Sequence, residues 1–230
     1  MRPKLRCMQR RHTLQGAAWA ALALCALLLW DASGLDLPLA RAFGGEMGFP
    51  LRDSTFLRLV LHDGAKWLAW LLAVSLCLGL GWPLGPWRQL AFSRRLQLVI
   101  SALLAWAIVA LFKASSHTSC PWDLHDFGGV ARYVSHWQGW QHGAGGGGRC
   151  FPAGHATTGF AFVGGYFALR EQWPRLARRW LVTALGVGLV LGLAQQLRGA
   201  HFMSHTLWTA WICWMSAWAS DPLFARGSVA

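Results

Sequence analysis

Three short polar clusters stand out from an otherwise apolar chain. They are Lys113-Ala-Ser-Ser-His-Thr-Ser-Cys-Pro121, Cys150-Phe-Pro-Ala-Gly-His155 and Arg198-Gly-Ala-His-Phe-Met-Ser-His205. Their residue types suit phosphoryl transfer, which needs fixed positive charge and directed N–H donors around a phosphate. Lys113 and Arg198 supply charge. Gly154, next to Ala153, lets backbone approach closely, and a helix starting there would aim its first amides at an anion. A covalent route also needs a nucleophile and an acid for the leaving oxygen, and His155 and His201 can fill those roles near neutral pH. His205 follows His201 by four residues, so a helix begun at that point puts both on one face, where His205 can orient the His201 ring.

The elements that position these clusters are membrane helices. The chain has 230 residues, 55% hydrophobic and 13% charged, with mean hydropathy +0.34. A soluble domain of that size carries more charge. Crossing the hydrocarbon core takes ~20 apolar residues. Six segments qualify, at about 14–32, 64–82, 96–112, 155–170, 180–197 and 203–219. The expected fold is all-α, one membrane domain over residues 1–230 with six transmembrane helices. The fourth and sixth segments carry Gly, Ser, Thr and His and are expected to face other helices. The first follows a basic start and resembles a signal peptide. Its nearest Ala-x-Ala, Ala40-Arg41-Ala42, lies about ten residues beyond the apolar run, so a retained anchor is expected.

Charge sets the orientation. Arg2, Lys4, Arg6, Arg10 and Arg11, then Arg88, Arg94 and Arg95, then Arg170, Arg175, Arg178 and Arg179, and Arg226 fall on one side of a six-span chain. Together they are 13 of the 21 Lys and Arg residues. By the positive-inside rule that side, with both termini, is cytoplasmic. The three polar clusters then share the outer side, with a possible interfacial helix at Ser54 to Asp63 and a long loop over 113–154. Within that loop the glycine-rich tract Gly143 to Gly148 is expected to be flexible.

Other classes fit less well. The net charge of +12 would suit nucleic acid only on a soluble basic face, so no nucleic-acid partner is expected. The 16 Trp residues favour membrane interfaces. His117, Cys120, His125 and Asp126 are metal-type residues in one loop, but their spacing matches no zinc pattern. No metal or cofactor is expected. Histidines at segment ends, not mid-depth, argue against haem. Simpler accounts also exist for single residues: Lys113 snorkelling at a helix end, His205 in an interhelical hydrogen bond, Arg198 marking an interface.

The three clusters resemble the signatures of the type-2 phosphatidic acid phosphatase (PAP2) superfamily: Lys-x6-Arg-Pro, Pro-Ser-Gly-His and Ser-Arg-x5-His-x3-Asp. Here they read Lys113-x6-Cys120-Pro121, Pro152-Ala153-Gly154-His155 and His201-x3-His205, and the resemblance covers roughly residues 60–220. It implies that His201 is the nucleophile, forming a phosphohistidine, that His155 protonates the leaving group, and that Lys113 and the backbone around Ala153 and Gly154 bind phosphate. The departures are Cys120 for the family Arg, Ala153 for Ser, His205 for Asp, and Gln195 six residues before the nucleophile, with Arg198 one turn away as the substitute. Asp123 and Asp126 are the acids expected to compensate for the missing carboxylate. Of the six cysteines only Cys120 and Cys150 fall on the outer side, and a disulfide between them is expected to hold the first two clusters together.

The expected activity is phosphatase or phosphotransferase action on a membrane lipid phosphate or diphosphate. Polyprenyl diphosphate, phosphatidylglycerol phosphate and lipid A phosphate stay open as substrates. The expected setting is a bacterial inner membrane with the site facing the periplasm. The alternative is a non-catalytic relative that binds lipid phosphate or regulates a partner.

Overall fold

The computed structural model describes residues 3–138 and 145–225. Readings placed on the Arg2 to Arg11 side chains, Gly143 and Arg226 lie outside what it describes. The described residues are all-α, with eight α-helices: α1 (Pro3–Ser33), α2 (Asp36–Arg41), α3 (Ala65–Gly81), α4 (Phe92–Ser115), α5 (Thr157–Phe160), α6 (Gly164–Leu169), α7 (Pro174–Leu197) and α8 (Met203–Ala225).

Among the described residues, four helical stretches are long and apolar enough to cross a membrane: Leu14–Ser33, Leu57–Gly81, Phe92–Ser115 and Pro174–Leu197. The second begins in π-helical turns, Leu57–Gly64, and runs on into α3. The separate interfacial helix expected at Ser54 to Asp63 is therefore part of that span.

The fourth and sixth expected spans differ from the other four. Residues 155–170 form α5, a 3-10 turn over Ala161–Val163, and α6. The segment is central to the bundle, with Phe160, Val163, Phe167 and Leu169 buried. Its glycines let neighbours press onto the backbone: Gly159 meets Gly188, Gly164 meets Ser101 and Gly165 meets Trp180. Broken helical hydrogen bonding is tolerated at such depth when protein supplies the partners. Trp180 does so, its indole N–H donating to the Phe162 carbonyl at 2.7 Å. Helix α8 is 23 residues long, but its Ser, Thr, His and Trp residues lower its hydropathy. It packs against α1, α4, α6 and α7.

At the end of the bundle away from the polar clusters, buried Arg94 donates to Gln97 and to Asp221, and Arg170 also donates to Asp221. Arg94 further pairs with Glu171 at 2.7 Å. This network ties the start of α4, the end of α6 and the end of α8 together. Charges buried this way need all their partners.

The α5–α7 crossing carries a prediction. A Cβ at Gly159 would lie 2.3 Å from the backbone nitrogen of Gly188, so the helices themselves must separate. Gly159→Val is expected to destabilise the protein by on the order of 3 kcal/mol, as overpacking against immovable backbone does. Gly186→Ala, where a Cβ meets nothing within 4 Å, should be neutral or slightly stabilising. Thermal unfolding in detergent compares the two, and equal midpoints would refute the close crossing.

Candidate active site

Local structure brings the three sequence clusters to one rim. Lys113 ends α4. The chain beyond it runs alongside the second cluster: Arg149 N–H donates to the Ser116 carbonyl at 2.9 Å and Cys150 N–H to the Thr118 carbonyl at 3.1 Å. Cys120 and Cys150 are joined as a disulfide, Cα atoms 5.2 Å apart. The third cluster follows a glycine-terminated helix end. Gly199 takes φ +73°, its N–H donates to Gln196 and the Ala200 N–H donates to Gln195. That reversal sets Arg198 at the end of α7 and His201 just before α8. The start of α8 is gripped by buried Asp36, which accepts hydrogen bonds from the Ser204 amide and hydroxyl, a capping contact to the exposed amides of a first turn.

His201 is buried. Its Nδ1 lies 2.7 Å from the Cys150 carbonyl oxygen. A carbonyl only accepts, so Nδ1 carries the proton and Nε2 keeps its lone pair. Burial holds the ring well below its usual pKa, as do the charge of Lys113 and the neighbouring His205 and His155, against the opposing hydrogen bond that the ring donates to Cys150. A neutral ring with a free Nε2 is the form that attacks phosphorus.

The His155 ring centroid is 6.1 Å from that of His201 and 4.1 Å from that of His62. Burial pushes His155 down to about 3, and the neighbouring His62 and the positive charges of Lys113, Arg198 and Lys66 act in the same direction. The same charges attract an anion, and a bound phosphate dianion reverses their effect, favouring a protonated His155. Lys113 lies against Gly154, where a Cβ would sit 3.4 Å from its Cδ. Its Nζ donates to the Arg149 carbonyl at 2.6 Å, leaving two further donors. Arg198 is buried, its guanidinium donating to the Arg52 carbonyl at 2.9 Å and to Gln195 Oε1 at 3.3 Å.

Several expectations change. The hydrogen bond expected between His205 and His201 is not made: His201 Nδ1–H donates to the Cys150 carbonyl, and the two histidine rings meet edge-on, centroids 5.8 Å apart. Ala153 does not offer its amide to a ligand. It is fully buried, its N–H donating to the His205 carbonyl at 3.2 Å. The helix after His155 is a four-residue turn, too short for the dipole expected of it. Asp126 pairs with Arg41 at 2.7 Å, and the carboxylates that meet histidines of the cluster are Asp63, 2.7 Å from His62, and Asp31, 3.3 Å from His136. Cys120 is in the disulfide, so the metal-type set in the loop loses its thiol. The sequence reading also passed over His62. The signal was present: His62 and Lys66 are four residues apart at the outer start of a span, one helix face on the side of the other clusters.

The family model of the PAP2 superfamily matches residues 94–226, more than half of the chain. The chain belongs to the PAP2 superfamily. The match takes in Lys113, His155 and His201 together with α4, α7 and α8. PAP2 membership implies a phosphatase-type enzyme. No curated protein and no solved structure matches the chain significantly.

Proposed function

We propose that this PAP2 protein is a membrane lipid phosphatase or phosphotransferase working through a phosphohistidine on His201. The observation that carries the reading is the hydrogen bond from His201 Nδ1–H to Cys150, which leaves the Nε2 lone pair free in a cluster that also holds His155 and Lys113. Nε2 attacks phosphorus as the bond to the leaving oxygen breaks, and His155 delivers its proton to that oxygen. Water, or an acceptor hydroxyl in a transferase, then attacks the phosphohistidine while His155 takes back a proton. Lys113 and Arg198 neutralise the equatorial oxygens.

A lipid substrate is supported by an apolar groove of about 440 Å³ between α3, α5 and α7, lined by Ala65, Leu68, Leu72, Thr158, Phe162 and Val187. It starts one residue from Lys66 and three from His155, so a phosphate at the histidines could keep its chain at membrane depth. Six crossings, with the α5–α6 segment and α8 as the fourth and sixth, place all three clusters on one side. The Cys120–Cys150 disulfide favours an oxidising compartment. Both fit a plasma membrane with the site outside, as in the periplasm of a bacterial inner membrane.

The test is phosphate release by purified protein in detergent, without added metal, from polyprenyl diphosphate, phosphatidylglycerol phosphate and lipid A phosphate. Release from at least one is expected, and the fastest names the substrate class. No release, with or without an acceptor lipid, would overturn catalysis and leave the binding or regulatory alternative.

A further inference from the structure

The family's carboxylate beside the nucleophile is absent, because its position is His205. The structure brings a carboxylate to the same cluster from the other end of the chain. Asp31 stands at the outer end of α1, its side chain 8% exposed, and its Oδ2 lies 3.3 Å from Nε2 of His136, itself 5% exposed. Asp31 Oδ1 and His136 Nε2 are both buried without a well-formed hydrogen bond. Two indoles hold Asp31 in place: Trp137 from the outer loop and Trp208 from α8 each donate to Oδ2 at 3.0 Å.

From Asp31 an unbroken set of rings leads to the nucleophile. His136 stacks on Phe151 with centroids 4.3 Å apart and planes 6° apart. Phe151 follows Cys150, whose carbonyl fixes the His201 tautomer. His136 also meets His205 edge-on at 6.0 Å, and His205 meets His201 at 5.8 Å. Among the described residues Asp63 also meets a histidine, His62, at 2.7 Å, but it is 47% exposed and lies on the His155 side of the cluster. Asp36, on the same side as Asp31, is occupied by Trp30 and Ser204.

We infer that Asp31 is a positioning residue for phosphoryl transfer, backing His201 through His136 in place of the carboxylate that His205 replaces. The inference rests on the histidine mechanism proposed above. When Nε2 bonds to phosphorus, Nδ1 keeps its proton and the ring becomes cationic. A buried negative charge behind the ring stack stabilises that cation more than it would in water. The His136–Phe151 stack also fixes the Cys150 carbonyl that accepts the Nδ1–H hydrogen bond.

A double-mutant cycle tests this. Asp31→Asn keeps size and the acceptor for both indoles. It is expected to lower kcat by about 10–100-fold with KM within about twofold, because the lost interaction acts in the transition state. Asp31→Glu should recover much of the rate. In a His205→Asp background, where the carboxylate stands beside His201, Asp31→Asn should cost less than about threefold, the coupling expected of groups serving one function. If His205→Asp does not fold, His136→Phe replaces it. That variant keeps the stack on Phe151, and combined with Asp31→Asn it should lose no more rate than either change alone. An Asp31→Asn protein with wild-type kcat, losses that multiply, or a loss that follows the unfolding midpoint would overturn the inference while leaving the mechanism standing. No phosphate release by the wild-type protein would overturn both.

Discussion

Replacing His201 with alanine is expected to reduce phosphate release by at least about 10³-fold, or about 4 kcal/mol of transition-state stabilisation. The covalent route has one nucleophile, and nothing in the cluster can replace it. His155 faces His62 and the cations, and His205 Nδ1 is enclosed without a partner. Because His201 is itself buried, truncation also leaves a cavity. His201→Gln, which fills that space and can still donate to Cys150, separates chemistry from packing: it should be equally inactive yet unfold close to wild type. Denaturing gels after brief exposure to labelled substrate give a second readout. The wild-type protein should carry an acid-labile, base-stable label that both variants lack. Release at wild-type rate from His201→Ala would remove the proposed nucleophile.

Breaking the Cys120–Cys150 bond is expected to weaken both fold and rate. The bond closes a loop of 30 residues, worth about 3–4 kcal/mol in the chain-entropy account. Its catalytic effect follows from position. Cys150 is held by its amide to Thr118, by its sulfur to Cys120, and by its carbonyl to His201 Nδ1. Once the sulfur link is gone, the carbonyl is free to drift, and the imidazole loses the contact that selects its tautomer and supports its charge. A hydrogen bond to a charged group is worth about 1.5–3 kcal/mol, so the rate should fall roughly 10–100-fold. Reduction with a membrane-impermeant phosphine and the Cys120→Ser/Cys150→Ser variant should give the same loss. A lowered unfolding midpoint with unchanged kcat would confine the disulfide to stability. No change in either would mean that the bond is not used.

Much of this was legible in the sequence because its causes are local. Apolar runs near twenty residues specify helices that can cross a membrane, and α1, α3, α4 and α7 formed where those runs lie. Lys113, His155 and His201 could be singled out because they end such runs. Their convergence at one rim follows from the helix order. The segment after His155 has the length and apolarity of a span, yet it is broken into short helices at the centre of the bundle. Its glycines at 159, 164 and 165 mark close backbone contact, which a hydropathy profile does not register.

The sequence by itself determined the helical class, the polar clusters and the residue types for phosphoryl transfer, since each depends on composition and short spacing. Tertiary structure alone decided which partner each site residue has. The acceptor for His201 is a backbone carbonyl 51 residues away, and a carbonyl has no signature in sequence. The carboxylate near His136 comes from α1, more than a hundred residues earlier. A second face of the candidate site comes from His62 and Lys66 on another helix. Such pairings depend on how helices pack around small residues and on where a buried polar group finds its complement, and neither is encoded at any fixed spacing along the chain.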